Sequence, residues 1–434
     1  MSLTATFPAA AWESPLVRKF RAQPLLLDLT FFVVFAIDAI QTAIRSEFYG
    51  FRIWGNFAFI AYSLAALHTL WGLFHRSKAV SKTATKLRSR WVPAIIIGAL
   101  GMVAPLVFLS IQRLGGRDWG SPSASMTAQP EVWVIERAAR LLLDTGSPYV
   151  NVENLGRAAV VDDYTPYSPA MSLFGIPRAL FGDSLLTDSR VVSALFTGLV
   201  VIIALKVVNW SIPPVRSVQF IALTSFTTLT FAVAGNDLPI AALLVLSALL
   251  VTRAAPEWTG VVAAVAVAMK MTALPAVVVL LFAVIATRGV RSAMRFTLAF
   301  LVASAIATAP VFVADPFAFI DNVVRFPLNL ASVQSPAGSP LPGHMLQQAG
   351  MIGHVAVLVL LGVAAAGMVV WLIARPPRSS AEVLVRMGVG LGVGFLLMPA
   401  TRWGYLLYPI VLFGAAWACR DRSTSNTEFL PSAR

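Results

Sequence analysis

Apolar residues in this chain run together in blocks rather than alternating with polar ones, and the blocks recur from Pro24 to Cys419 between short basic or Pro- and Gly-bearing breaks. A helix of about 20 apolar residues spans a hydrocarbon core with its backbone N–H and C=O groups satisfied internally, whereas an outer-membrane barrel shows short alternating segments. The blocks predict helices near 24–44, 53–74, 91–112, 191–209, 217–234, 238–252, 258–272, 273–288, 292–314, 352–374, 383–400 and 404–419. The expected fold is all-α, a polytopic transmembrane bundle of about 12 spans with no substantial soluble domain. One further apolar stretch, Tyr167 to Phe181, is short and interrupted by Pro169 and Pro177, and a full span there would invert everything after it. It is expected as a re-entrant or interfacial helix.

The breaks divide the chain into residues 1–112, with three helices and a basic loop; 113–190, the first large loop; 191–314, transmembrane helices; 315–350, the second large loop; and 351–434, the closing helices and tail. Composition agrees with this pattern: 58% of residues are hydrophobic and 12% charged, at a mean hydropathy of +0.78, where a soluble domain carries about a quarter charged residues. The formal charge of +13 does not indicate nucleic acid, because the cations lie between apolar segments where cytoplasmic loops belong. Arg18, Lys19 and Arg21 precede the first helix, and Arg76, Lys78, Lys82, Lys86, Arg88 and Arg90 follow the second. Lys206, Arg216, Arg253, Arg288, Arg291, Arg375, Arg378, Arg386, Arg420 and Arg422 fall on the same side of the scheme. A multi-pass plasma-membrane protein with both termini cytoplasmic is expected, its loops 113–165 and 315–350 outside. Met1 to Ser14 lack the basic start and cleavage site of a signal peptide, so the first helix should be retained. Cys419 is the only cysteine, which excludes an intramolecular disulfide and a cysteine metal cluster. No internal repeat of the kind common in transporters is evident.

Candidate chemistry gathers in the loops and at the helix ends facing them. Pro130 through Gly146 carries a helix signature, with Pro at the start, apolar residues at helical spacing and Gly at the end. An amphipathic helix along the outer membrane surface follows. Glu131 falls in its first turn, where a carboxylate also suits the helix dipole, and Glu136 points to another face. Downstream stand Pro148-Tyr149 and then Asp162-Asp163-Tyr164-Thr165-Pro166-Tyr167, aromatic residues at a membrane entry. Gly235-Asn236-Asp237 separates two apolar helices, as a turn or as a site. Lys270 is flanked by apolar residues on both sides, a setting costly for an ammonium without an anion or a wet cavity. Arg402, with Trp403 and Tyr405, opens the last helix on the same side, and Lys270 and Arg402 could together face a lipid phosphate. The second loop adds Asp315, Asp321, Arg325 and His344.

Taken in order, these segments resemble the GT-C superfamily of membrane glycosyltransferases, most closely the actinobacterial polyprenyl-phosphate-mannose-dependent α-mannosyltransferases of glycosyltransferase family 87. The family's loop carboxylate is matched by Glu131, its Leu-Tyr step by Pro148-Tyr149, and its Tyr-Pro-Pro-Phe segment by Tyr164-Thr165-Pro166-Tyr167. Its Gly-Gln-x-Asn turn is similar to Gly235-Asn236-Asp237. Its Ala-x-Lys-x-Thr-Pro segment is similar to Ala268-Met269-Lys270-Met271-Thr272, with the proline at Pro275. Its closing segment is similar to Met398 through Tyr405. The resemblance covers roughly residues 128–410 and leaves the first two helices outside. The chain departs from the pattern with Glu for Asp, with Thr165 for the first proline, and with no histidine pair after Trp403.

The resemblance implies transfer of a sugar, foremost mannose, from a polyprenyl-phosphate donor to a lipid or glycan acceptor on the extracytoplasmic face during cell-envelope glycolipid synthesis. It implies inversion without a metal or other cofactor. Glu131 would be the general base, Lys270 and Arg402 the partners of the donor phosphate, and Tyr164, Tyr167, Asp163, Asn236, Asp237, Trp403, Tyr405 and His344 the sugar or acceptor contacts. A pentosyltransferase such as an arabinofuranosyltransferase, a flippase or transporter of lipid-linked sugars, and a non-catalytic envelope scaffold are the competing readings. The topology has a direct test: with cysteine placed at Ser123 or at Ser81, an impermeant reagent added outside intact cells should label only the Ser123→Cys protein, and the reverse pattern would overturn it.

Overall fold

The computed structural model describes residues 23–75, 87–118 and 125–427, with side chains up to residue 420. Arg18, Lys19, Arg21, Arg76, Lys78, Ser81, Lys82, Lys86, Ser123 and the side chain of Arg422, all used in the topology above, lie outside the described residues, as does the segment 1–14. Within them every regular element is helical, and the one extended pairing is an isolated bridge between Gly338 and Thr401. In chain order the helices are α1 (Pro24–Arg45), α2 (Tyr49–Phe74), α3 (Trp91–Leu114), α4 (Pro130–Thr145), α5 (Ile176–Phe181), α6 (Ser189–Val207), α7 (Val215–Ala222), α8 (Ser225–Val233) and α9 (Asp237–Arg253). They continue as α10 (Pro256–Met269), α11 (Leu274–Arg288), α12 (Val290–Ala314), α13 (Pro316–Ile320), α14 (Pro342–Gln347), α15 (Met351–Ala374), α16 (Ser380–Leu397) and α17 (Leu407–Thr427).

Eight of these segments are long and apolar enough to cross a membrane: α1, α2, α3, α6, Met271–Arg288 around α11, α12, α15 and α16. Among the described residues these eight account for part of the expectation of about 12 spans, and the remaining four expected segments are also helical. The stretch 217–234 breaks into α7 and α8 at Leu223, whose carbonyl accepts a 2.8 Å hydrogen bond from the buried Tyr62 hydroxyl instead of continuing the helix ladder. Helices α9 and α10 have 17 and 14 residues. Most of α9 is buried among other helices, as expected of a helix that is apolar all round. Helix α17 runs into the polar tail. Conversely, α12 and α15 expose Leu298, Ile306, Val313, Ile352, Val359 and Val370, an apolar surface that water would not tolerate over such lengths.

Two apolar cores organise the bundle. The larger joins α9, α10, α11, α16 and α17 with residues of α4 and with Tyr167, Met171 and Phe174. The smaller joins α1, α2 and α3 with Leu223 and the end of α8. Helix α3 contains a π-helical stretch, Ile97–Val103, which periodicity did not disclose.

The expected amphipathic helix is α4, with Pro130 in its first turn and Gly146 closing it at φ 77°, the left-handed geometry that a glycine adopts without a Cβ penalty. The interrupted stretch after Tyr167 forms a 3₁₀ segment, Pro169–Gly175, followed by α5. This short unit lies directly on α4: a Cβ at Gly175 would stand 2.7 Å from the Glu136 Cα and from the Ile135 carbonyl oxygen. Gly175→Val should therefore force α4 away and lower the unfolding midpoint in detergent, at a cost of about 1–3 kcal/mol. Gly198→Val, in an exposed position on α6 with nothing near its Cβ, is the control; equal midpoints for both variants would show that the contact does not hold α4.

Candidate functional site

The first turn of α4 is fixed from outside the helix. The Gln129 N–H donates to the Val233 carbonyl at 3.0 Å, and the Gly50 N–H donates to the Met126 carbonyl at 2.9 Å, so the start of α4 is tied to the end of α8 and the start of α2. Glu131 then projects toward the start of α17, where its Oε1 pairs with Arg402. Arg402 is itself positioned by the second long loop. The Thr401 N–H donates to the Ala337 carbonyl at 2.8 Å, the Ser339 N–H to the Thr401 carbonyl at 2.9 Å, and the Trp403 N–H to the Ser339 hydroxyl at 3.1 Å.

Beside this pair stands a second one. Asp237, in the first turn of α9, accepts from Lys270 Nζ at 2.7 Å and from the Tyr408 hydroxyl at 2.7 Å on the same oxygen. Lys270 follows the last residue of α10, where the chain turns extended, and its ammonium lies 4.5 Å from the Tyr405 ring centre and 5.7 Å from that of Tyr167. Stacked aromatic faces partly replace the hydration that an ammonium loses on burial. Asn236 donates to the Tyr167 hydroxyl at 2.9 Å, and the Ser168 N–H donates to the Met269 carbonyl at 3.0 Å, which ties the segment before α5 to the chain just ahead of Lys270. Glu131, Tyr167, Asn236, Asp237, Lys270, Arg402 and Tyr405 thus meet at one end of the bundle. Lys270 and Arg402, expected to share one anion, are each held by a separate carboxylate. Three buried oxygens in these segments have no hydrogen-bond partner: Glu131 Oε2, Ser168 Oγ and Thr272 Oγ1.

Four expected site residues bond elsewhere. Tyr164 stacks on Phe326 at 4.4 Å and shares a hydrogen bond with Ser332. Asp163 takes both ends of the Arg157 guanidinium at 2.7 Å, which holds its carboxyl below the usual range. His344 donates from Nδ1 to the Pro399 carbonyl at 2.9 Å, and the Trp403 ring is exposed. Arg137 on α4 contacts the Asp162 and Asp163 carbonyls; burial pushes its guanidinium down to about 10, against the pull of those two carboxylates. It remains charged at neutral pH.

Two features escaped sequence reasoning. Tyr408 completes the Asp237 pair, and its spacing of three from Tyr405 on a helix start was the available signal. The second feature is a buried ionic network under α4. Arg113 grips Glu136 at 2.7 and 2.9 Å and reaches Asp188 at 3.2 Å. Arg178 approaches Glu136 at 3.3 Å, and Arg190 holds Asp188 at 2.7 Å while donating to the Thr127 and Ala232 carbonyls. Its members come from α3, α4, α5 and the start of α6, so no local pattern announces it. Among the described residues no group of three or more His, Cys, Asp or Glu side chains gathers as metal ligands.

The chain matches glycosyltransferase family 87 over residues 164–399, more than half of its 434 residues. No curated protein and no solved structure matches it.

The Asp237–Lys270 pair makes its own forecast. Lys270→Met leaves a buried carboxylate with only the Tyr408 hydroxyl, a loss of about 3 kcal/mol or more, read as a fall in the unfolding midpoint. Adding Asp237→Asn should recover most of that fall, because the charge left unpaired is gone; a double variant no more stable than Lys270→Met alone would rule out the pairing.

Proposed function

From the premise that the chain belongs to glycosyltransferase family 87 and is a membrane glycosyltransferase, we propose that it moves mannose from a polyprenyl-phosphate donor to a hydroxyl of a lipid or glycan acceptor. We place the reaction at the extracytoplasmic face of the plasma membrane, with both termini cytoplasmic, because the basic segments lie at the other ends of the helices. The observation that carries this reading is the state of Glu131. One of its oxygens is anchored on Arg402 while the other is buried with no hydrogen-bond partner. A fixed carboxylate with one open lone-pair site is what a general base needs to take a proton from an incoming hydroxyl.

In the proposed step the acceptor oxygen attacks the anomeric carbon and its proton passes to Glu131 Oε2. The bond from that carbon to the phosphate oxygen breaks, and polyprenyl phosphate leaves with the electron pair. One displacement inverts the anomeric centre, so a β-linked mannosyl phosphate gives an α-mannoside. Arg402 and Lys270 supply the positive charge that the leaving phosphate requires. Tyr167, Tyr405 and Asn236 frame the sugar, and Asp237 with Tyr408 holds Lys270 in place. Tyr164, Asp163, His344 and Trp403 act at one remove, by bracing the two long loops. The gathering of polar groups at one end of the bundle supports an enzyme over a carrier, whose site belongs near the midplane.

Purified protein given radiolabelled polyprenyl-phosphate mannose and a membrane lipid extract should transfer label to a new glycolipid. Glu131→Gln should keep donor binding and lose turnover by roughly 100-fold or more. Glu136→Gln should instead lower stability and turnover together, because its carboxylate belongs to the buried network. Full turnover in Glu131→Gln would remove the base from this site, and absence of any labelled glycolipid with the unaltered protein would remove the reaction.

A further inference from the structure

The start of α4 lies beside the first residues of α2, and the opposite end of the α1–α2 hairpin holds a separate polar feature. A cavity of about 190 Å³ opens there between the first turns of α1, the last turns of α2 and the segment entering α3, lined by Asp28, His68, Gly72, Arg88 and Arg90 among others. Asp28 is buried, and both of its oxygens are taken: Arg90 donates to them at 2.6 and 2.8 Å, and Arg216 reaches one at 3.4 Å while donating to the Pro24 carbonyl at 3.1 Å. Arg88 has no share in that carboxylate. Its guanidinium stacks over Trp71 at 5.5 Å, and its Nε is buried with no hydrogen-bond partner. Among the described residues, three guanidiniums therefore stand against one carboxylate.

A buried N–H without an acceptor is costly, more so when the group is charged, and surplus positive charge in a partly enclosed space raises the demand for an anion. The guanidinium fork suits two oxygens of one phosphate. His68 adds a second requirement. Its Nε2 lies 2.6 Å from the Leu87 carbonyl, which can only accept, so Nε2 carries a hydrogen and Nδ1 is the ring nitrogen left for a further partner. Nδ1 is also buried with no partner. A ligand complementary to both groups offers phosphate oxygens and a hydroxyl. Leu67, Leu70, Phe74 and Leu87, on the same turns of α2 and at the entry to α3, are exposed apolar side chains suited to acyl chains.

We propose that this cavity binds the headgroup of an anionic phospholipid, its phosphate on Arg88 and a headgroup hydroxyl on His68 Nδ1. Basic pockets between transmembrane helices are established places for such headgroups. The site is separate from that of Glu131 and does not depend on the reaction proposed there.

The test uses the full-length protein in neutral detergent, with its unfolding midpoint followed against added phosphatidylglycerol, phosphatidylcholine or inorganic phosphate. Phosphatidylglycerol should raise the midpoint, and phosphatidylcholine should not. Arg88→Gln should need about tenfold more phosphatidylglycerol for half the effect, the loss expected when a charge-assisted contact is removed. Gly72→Leu fills the cavity from a position where a Cβ meets nothing nearer than the Leu25 Cδ1 at 3.9 Å. It should abolish the response without lowering the lipid-free midpoint, and it reads the proposal even if Arg88→Gln does not fold. Arg45→Gln, at the other end of α1, should respond as the unaltered protein does. An equal rise with phosphatidylcholine, a full response in Gly72→Leu, or a rise that inorganic phosphate alone reproduces would each overturn the lipid assignment, the last in favour of a free anion.

Discussion

A charge that leaves water must meet its opposite, and this requirement governs how the loops of the protein sit on its helices. In a low-dielectric interior an unpaired carboxylate or guanidinium costs more than any single apolar contact returns. Here the obligation is met across elements distant in sequence. Glu136 of α4 is met by Arg113 of α3 and Arg178 of α5, and Asp188 before α6 by Arg190 and Arg113. These pairs do not amount to a large stabilisation, since desolvation offsets most of their attraction. Their effect is on geometry, because any other placement of α4 would strand a buried charge.

Glu131 inherits its position from that arrangement. It lies five residues before Glu136, so the network that locks one face of α4 sets where the first turn points. The segment carrying Arg402 is held from the opposite direction, by the backbone bonds between 337–339 and Thr401. The two long loops are thus scaffolding for the meeting of Glu131 with Arg402, and the Gly175 contact keeps the short helical turns close enough to cover α4. Glu131 and Arg402 stand 271 residues apart in the chain, so only the tertiary fold brings them together.

Helix identity was legible from the chain because lipid demands long uninterrupted apolar runs, and the boundaries of α1, α2, α12 and α15 lie within a few residues of those expected. The span count was legible in part: eight segments stand out by length and apolarity, whereas α9 and α10, with 17 and 14 residues, do not, because burial in a protein core and burial in lipid select the same residues. The break between α7 and α8 is invisible in the sequence, since it depends on the Tyr62 hydroxyl reaching across from α2. At the site, Glu131, Lys270 and Arg402 stood out as charges in apolar or helix-start settings. Their partners did not, because which carboxylate meets which cation is a tertiary fact. Tyr164 and His344 had the right chemistry and neighbourhood in the chain, yet Phe326 and the Pro399 carbonyl engage them.

The cluster of Glu131, Asp237, Lys270 and Arg402 is electrically neutral, two carboxylates against two cations, with aromatic rings where water would otherwise screen it. An anion entering such a place adds its whole charge to a medium that resists it, and the resistance grows with the square of that charge. Neutrality of this kind leaves no surplus cation at rest, so an anion brought to this end of the bundle has to compete with Glu131 and Asp237 for the charges of Arg402 and Lys270.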